Sequence, residues 1–242
     1  MEITELQKDL AATFRWTARL DMHEGVANHF SACVPGSSTD FYVNKAGIHF
    51  SRIRASDLIL VNKENIKDLK NKPHLIDPTA INIHGAIHQK VPHAKCIFHV
   101  HSKYATVLST LKDPILKPID QNTMMFYNRV SVFNEFGGLG FEDESIKMAN
   151  ALGNKQHMLL ANHGIITTGE TIAEGFNYLY YFEKAAETYL TALSSNKELN
   201  VVSDEVAEKT AQETANFPID LAKLHLKQIR LILDKEEPEY KN

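Results

Sequence analysis

The chain has 242 residues, 43% of them apolar, which is enough to bury one sizeable hydrophobic core. Its 26 basic and 30 acidic residues give a formal charge of −4 without a basic cluster, which argues against a nucleic-acid partner. Two cysteines are too few for a disulfide framework, and no apolar run suits a secretory signal or a membrane span. We therefore expect a cytoplasmic protein with no membrane partner.

The first part of the chain predicts a helix, three short strands and a second helix. Thr4 can cap the first helix, whose apolar stripe ends near Gly25. Strands are predicted at residues 30–34, 41–43 and 58–61, with a Pro-Gly-Ser turn between the first two. Pro78 and Thr79 mark the start of a helix that continues to residue 90.

The second part mixes strands and helices. Ser102 can cap a helix over 102–111, and Thr171 with Glu174 predicts a capping box at the start of a long helix ending near 194. The other predicted segments are a strand at 97–101, an irregular stretch at 114–140, a helix at 142–152, strands at 158–161 and 165–168, one last helix opening at Ser203 with Leu221, Leu224, Ile229 and Leu233 on one side, and a solvated charged tail at 234–239.

The order of these elements predicts the fold class. Strands come first without intervening helices and then alternate with them, which favours a mixed α/β sheet over a regular βαβ winding. We expect one domain over residues 1–200, followed by a C-terminal helical extension and tail over 201–242.

Three histidines are candidate metal ligands. His99 and His101 alternate along a predicted strand, so their imidazoles project to one face about two residue rises apart. His163 follows an apolar run and precedes Gly164, which places it at another strand end. Imidazoles in this arrangement can bind Zn, Mn, Fe or Co. Hydrogen-bonded structural histidines are the alternative interpretation.

Five stretches, in order and spacing, resemble the class II aldolase/adducin family, and its adducin-head branch more closely than its sugar-phosphate aldolases. They are residues 27–31, 44–48 with 58–61, 81–88, 97–102 and 160–164, within a similarity over about 5–195. The resemblance implies a three-layer α/β/α fold with a central, mainly antiparallel sheet, and a homotetramer with sites between subunits. It also implies that His99, His101 and His163 hold a divalent metal, Zn first, with Mn, Fe or Co open.

The same comparison shows departures from the sugar-phosphate aldolases. Ala80 stands where those enzymes carry the Glu that serves as general acid/base, and alanine cannot move a proton. The phosphate-loop positions read His29, Ala46 and Pro78-Thr79, which removes donors that phosphate oxygens would want. We therefore expect a substrate without phosphate. Its expected contacts are Asn28, Ser31, Gly47 and Thr79.

Three residues could replace the missing base. His29 is the first candidate because it lies beside the former phosphate loop and imidazole titrates near neutrality; a hydrogen-bonded loop histidine is the alternative. Glu135 is a second candidate or a solvated surface charge, and Tyr127 is a proton donor or a packing residue. His84 and His88 lie one helical turn apart, a geometry that can bind metal, although a structural role is favoured.

Three functions are compatible with these residues. The first is a metal-dependent lyase that cleaves or decarboxylates a small hydroxy-carbonyl or hydroxy-acid, since a metal electron sink assists both reactions. The second is another metal activity on the same histidines, such as a dehydratase or a non-haem iron enzyme. The third is a non-catalytic, adducin-like binding module, because a fold does not determine a function.

Overall fold

The described part of the chain contains seven strands, nine α-helices and three short 3-10 helices. The structure is a computed structural model that describes residues 3–37, 39–135, 137–139, 141 and 143–242. The strands are β1 (His29–Cys33), β2 (Phe41–Asn44), β3 (Leu58–Val61), β4 (Cys96–Val100), β5 (Val130–Phe133), β6 (His157–Leu160) and β7 (Gly164–Gly169). The helices are α1 (Glu5–Arg19), α2 (Ile66–Lys70), α3 (Pro78–Lys90), α4 (Lys103–Ser109), α5 (Gln121–Met125), α6 (Asp143–Leu152), α7 (Ile172–Ser194), α8 (Asp204–Ala215) and α9 (Leu221–Glu236).

All seven strands form one sheet in the order β3-β2-β1-β4-β7-β6-β5. Every neighbouring pair is antiparallel except β5 with β6, which is parallel. The central pair, β1 and β4, places His29 opposite His99. The predicted mixed α/β fold with a mainly antiparallel sheet is therefore confirmed.

Apolar side chains cover both faces of the sheet and give the three layers. Phe30, Phe98 and Val100 point into the larger core, which α1, α4, α7 and α9 complete. Ile97 and Met158 point to the opposite face, where α3 and α6 pack. Because side chains alternate along a strand, His29 and His99 lie on the α3 side of the sheet.

Several predicted elements have the expected bounds, and others differ. The strand at 58–61 and the helix at 78–90 match β3 and α3, and Thr4 forms a capping box with Gln7. Glu174 does not complete the predicted box at Thr171, because its carboxylate accepts from the Glu170 amide instead. The stretch predicted as irregular contains α5 and β5, which are too short to show a clear period.

The last predicted helix is two helices. Residues 216–220, which include Pro218, are not helical and separate α8 from α9. Leu221 and Leu224 are exposed, and the buried apolar positions of α9 are Leu226, Ile229 and Leu233. The expected helix start at Glu142 lies outside the described residues, as do Phe136 and Gly140 of the glycine-rich segment.

The charged C-terminal segment packs on the protein and is not the solvated tail that its composition predicted. Arg15 is 5% exposed; its Nε donates to the Ile53 carbonyl, and its Nη1 lies 3.0 Å from carboxylate oxygens of Glu237 and Glu239. Tyr240 is fully buried in the larger core. Composition could not predict this, because the cations that pair with the acidic residues lie more than 200 positions earlier in the chain.

Within the described residues, no helix combines the length and the apolar composition needed to cross a bilayer.

Replacing Tyr240 tests whether this segment contributes to stability. Tyr240→Ala should lower the free energy of unfolding by about 3 kcal/mol, because it removes a fully buried aromatic ring. Phe217→Ala is the control, since that ring is half exposed and should change stability by less than about 0.5 kcal/mol. Urea denaturation followed by circular dichroism measures both. Equal effects of the two substitutions would contradict the docked tail.

Candidate metal centre

Two of the three candidate ligands come from the end of β4. His99 is the penultimate residue of the strand and His101 lies just beyond it, so both rings turn to the α3 side of the sheet. Their Nε2 atoms lie 3.1 Å apart. The predicted projection of the two imidazoles to one face is therefore present.

The third candidate, His163, reaches the same place through a tight turn between β6 and β7. Asn162 adopts a left-handed conformation with φ of 55°, and Leu160 pairs directly with Gly164. A Cβ on Gly164 would lie 2.5 Å from the Val100 carbonyl oxygen, so only glycine permits this approach to β4. The turn brings the His163 ring to 4.5 Å from that of His101, measured between centroids.

The outer nitrogens of the two β4 histidines determine which nitrogens face inward. His99 Nδ1 lies 3.0 Å from the Ile165 carbonyl oxygen, which can only accept, so Nδ1 carries the hydrogen. His101 Nδ1 lies 2.6 Å from a Glu24 carboxylate oxygen and donates to it in the same way. With Nδ1 as the donor in each ring, the Nε2 atoms of His99 and His101 are left facing each other, where both can ligate one cation.

This arrangement fits a metal ion. Ligand nitrogens of His99, His101 and His163 all lie within 4.8 Å of one another, and this is the one group of three such residues among those described. Burial lowers the pKa of His163 to about 4 and that of His99 well below its ordinary value. Metal ligation requires neutral imidazole, so neither ring needs to lose a proton at neutral pH.

Next to this cluster, His29 joins a second group of buried side chains. Its ring lies 4.9 Å from that of His99, and its Nδ1 lies 2.7 Å from His84 Nε2. Ser31 Oγ contacts His84 Nδ1 and His88 Nε2 at 2.5 and 2.8 Å. Burial lowers the pKa of His29 to about 4, an effect that Asp77 opposes and that His101 and His163 add to. His84 and His88 bond to this network, with their rings 6.4 Å apart.

Two of the expected substrate contacts are buried, and a third, Gly47, lies in an open position. Asn28 is buried, and its Oδ1 accepts from the Glu24 amide, which holds the loop that presents Glu24 to His101. Ser31 is fully buried beneath His29. Gly47 follows β2 with φ of 76°, and no atom of the described residues lies within 4 Å of the position that a Cβ would take.

Thr79 stands in the first turn of α3. Both its amide and its hydroxyl donate to Oδ1 of Asp77, the N-cap of α3, at 2.8 and 2.6 Å. One residue further on, Ala80 is buried in an apolar cluster with Val43 and Ile76.

Two candidate catalytic residues are engaged elsewhere on the surface of this chain. Glu135 is exposed and forms an ion pair with Lys147 at 3.1 Å. Tyr127 follows α5, and a hydrogen bond with the Asp204 carboxylate raises its pKa. Of the three residues proposed to replace the aldolase base, His29 is therefore the one that this chain places against the three-histidine cluster.

Two carboxylates were not predicted from the sequence: one bonds to a histidine of the cluster, and the other caps the helix that follows it. Glu24 binds His101 across 77 residues. Glu183, buried in α7, accepts from the Ser102 hydroxyl at 2.6 Å and from the Tyr104 amide at 2.8 Å. Ser102 therefore stands at the predicted cap position, but Glu183 caps α4 in its place. No spacing rule connects residues this far apart, so the sequence carried no signal for either contact.

The family model described as the class II aldolase and adducin N-terminal domain matches residues 8–190. The chain therefore belongs to the class II aldolase/adducin family.

Similar proteins include both enzymes and adducins. A crystal structure of an aldolase II superfamily protein from Pseudomonas syringae is 28% identical, with a TM-score of 0.86 over 98% of this chain and 95% of that one. L-fuculose 1-phosphate aldolase from Glaciozyma antarctica PI12 is 27% identical, with a TM-score of 0.82 over 98% and 92%. Alpha-adducin of Rattus norvegicus is 29% identical over 192 residues, which are 78% of this chain and 26% of that protein.

Replacing Gly164 tests the close approach that brings His163 to the cluster. Gly164→Ala should push β7 away from Val100, lower thermal stability and reduce metal affinity, because its Cβ would overlap a backbone oxygen. Gly85→Ala is the matched control: it adds a Cβ in open space within α3 and should stabilise the protein by up to about 1 kcal/mol. Thermal unfolding and metal titration measure both. A Gly164→Ala protein that keeps native metal affinity would contradict the argument.

A buried histidine outside the cluster makes stability depend on pH. His157 is fully buried against Phe126 and Tyr178, and among the described residues neither of its ring nitrogens has a hydrogen-bond partner. Burial lowers its pKa to about 3. Between about pH 6.5 and 3 the unfolded chain binds a proton there that the folded protein does not, so stability falls as the pH falls. His157→Phe removes this effect.

We therefore expect the stability advantage of His157→Phe over the native chain to be about 2 kcal/mol larger at pH 5 than at pH 7. The same substitution at exposed His74 is the control, because it removes an imidazole that incurs no burial cost. Urea denaturation at both pH values measures the difference. An advantage of equal size at the two pH values would contradict the prediction.

Proposed function

We propose that this chain is a metal-dependent lyase that cleaves, by a retro-aldol step, or decarboxylates a small hydroxy-carbonyl or hydroxy-acid without phosphate. The observation that carries the proposal is the convergence of His99, His101 and His163, with two of the outer nitrogens bonded to fixed acceptors. Membership of the class II aldolase/adducin family supports it.

The three imidazoles would hold one divalent ion. Neutral nitrogen ligands suit Zn best, and Mn, Fe and Co are also compatible with them. When bound, such an ion acts as a Lewis acid that stabilises negative charge developing on a substrate oxygen. Glu24, bonded to His101, would raise the basicity of that ligand and keep its ring oriented.

His29 is the residue best placed to assist. Its ring lies 4.9 Å from that of His99, so a small substrate held at the three histidines would meet it. A hydroxyl of that substrate could donate a hydrogen bond to the imidazole. The alternative position for a base is closed in this chain, since Ala80 is buried among apolar side chains. Decarboxylation remains open without a carboxylate base, because it removes no proton from carbon.

The absence of phosphate from the proposed substrate rests on hydrogen bonds within the chain. The Thr79 amide and hydroxyl already donate to Asp77, and the Ala46 amide donates to the Leu75 carbonyl at 2.8 Å. A phosphate would need those donors and would lie against the Asp77 carboxylate. Gly47 and Thr79 remain proposed contacts for a smaller, less charged substrate, and the buried Asn28 and Ser31 are proposed to support the residues around it.

Metal content is the first test. Elemental analysis of the purified protein should give one divalent transition-metal ion per chain, and His99→Ala or His163→Ala should abolish it. His74→Ala, which alters an exposed histidine outside the cluster, should keep the full content. One ion per chain in the His99→Ala protein would contradict the ligand assignment.

Substrate screening follows with matched pairs of phosphorylated and unphosphorylated hydroxy-ketones and with hydroxy-acids. The unphosphorylated compounds should react, and His29→Ala should lower their turnover by about 100-fold. A phosphorylated ketose as the best substrate would contradict the argument from Thr79 and Ala46. Full turnover by His29→Ala would exclude that residue from catalysis.

A second candidate is a non-catalytic, adducin-like binding module. The observations that favour it are Ala80 in place of the family base and the 29% identity to alpha-adducin. The binding module predicts that no metal binds even after reconstitution with Zn, Mn and Fe, whereas the lyase requires a bound metal. We also propose a homotetramer, which exposed apolar side chains such as Ile115 and Leu231 support; light scattering on the same sample measures it.

A further inference from the structure

Beneath His29, a continuous series of hydrogen bonds, the buried hydrogen-bonded chain, extends from the side of the three-histidine cluster into the protein interior. It begins at the Ala94 carbonyl and runs through His88, Ser31 and His84 to His29, with successive distances of 2.7, 2.8, 2.5 and 2.7 Å. All four side chains are at least 97% buried. Neither water nor any exposed group therefore competes for these contacts.

The match of two periodicities explains why the chain forms. His29, Ser31 and Cys33 occupy alternate positions of β1 and face α3, spaced about 7 Å apart. His84 and His88 lie one turn apart on α3, with a rise of about 6 Å. Because these two spacings are similar, each polar side chain of the strand lies close to a histidine of the helix.

The Ala94 carbonyl determines the direction of every hydrogen bond in the chain. A carbonyl oxygen only accepts, so the hydrogen of His88 lies on Nδ1. Burial lowers the pKa of His88 to about 4, so at neutral pH its Nε2 carries a lone pair that accepts from the Ser31 hydroxyl. The thiol of Cys33, 3.2 Å from His88 Nδ1, cannot reverse this, because the carbonyl at 2.7 Å must still receive a hydrogen.

The donor and acceptor of each remaining hydrogen bond follow from the number of hydrogens that each group carries. Ser31 has donated its one hydrogen to His88, so its oxygen accepts from His84 Nδ1. Burial lowers the pKa of His84 well below its ordinary value, so that ring is neutral and its Nε2 accepts from His29 Nδ1. The hydrogen of His29 thus lies on the inner nitrogen. Its Nε2 has no hydrogen-bond partner within the described part of the chain.

We propose that Ser31, His84 and His88 are positioning residues that hold His29 in the Nδ1–H tautomer, so that its Nε2 accepts a hydrogen bond from a substrate hydroxyl beside the three-histidine cluster. The role toward substrate rests on the proposed lyase function, whereas the tautomer is a property of the protein alone. An acceptor at this position selects substrates with a hydroxyl group. It disfavours those that present only acceptors there.

Neutron diffraction from deuterium-exchanged crystals tests the tautomer directly. We expect deuterium on Nδ1 and none on Nε2 in His29, His84 and His88. Free imidazole side chains in water favour the opposite tautomer, so this pattern would not arise by default. Deuterium on His29 Nε2 alone would overturn the proposal.

Substitution of Ser31 tests whether the tautomer of His29 depends on the other members of the hydrogen-bonded chain. Ser31→Ala removes the hydroxyl that connects His88 with His84, so His84 and His29 should no longer be held in a single tautomer. His88 is still bonded to the Ala94 carbonyl and should keep its hydrogen on Nδ1. Ser31→Thr restores a hydroxyl and should restore the pattern. Ser109→Ala is the matched control, because that serine is equally buried but its hydroxyl bonds to Thr106. Unchanged tautomers in Ser31→Ala would overturn the proposal.

The kinetic consequence separates this inference from the lyase proposal. On a substrate identified by screening, Ser31→Ala should lower kcat by about 10- to 100-fold and raise KM, while the metal content stays unchanged. An unchanged kcat overturns the positioning role. Absence of metal and of all turnover in the native chain would defeat the lyase proposal, and the diffraction result would still decide the tautomer.

Discussion

The candidate site depends on the close pairing of β4 with β7. Gly164 lies against the Val100 carbonyl, nearer than any side chain permits, and this contact lets the turn at Asn162 carry His163 to the end of β4. The same pairing supplies the Ile165 carbonyl, which holds the hydrogen of His99 on its outer nitrogen. One strand contact thus provides both the third ligand and the orientation of the first.

Backbone carbonyls act in the same way on both sides of the site. The Ile165 carbonyl orients the ligand side, and the Ala94 carbonyl, through buried side chains, orients His29. Because a carbonyl oxygen cannot donate, each one decides the hydrogen position of a neutral ring without any change of charge. Burial keeps the rings of His88 and His99 neutral, so each ring carries one hydrogen and its position is fixed by the carbonyl. The preorganisation of the site therefore comes largely from the main chain.

The chemistry proposed here follows from what the family site retains and what it has changed. The three ligand-ready histidines are present, whereas the position of the usual carboxylate base lies in an apolar cluster at Ala80. Donors that could bind phosphate are bonded within the chain to Asp77 and to the Leu75 carbonyl. Metal-assisted cleavage or decarboxylation of a small hydroxylated substrate is the reaction most compatible with that combination.

Local patterns in the sequence were sufficient to predict β3, α3, the paired projection of His99 and His101, and the strand-end position of His163. Alternation along strands and caps on helices are short-range effects, so a single sequence carries them. The tertiary structure alone decided the contacts of Glu24, Glu183 and the C-terminal carboxylates, and the meeting of β1 with α3. Those contacts join residues tens to hundreds of positions apart, and their partners are selected by packing rather than by any local period.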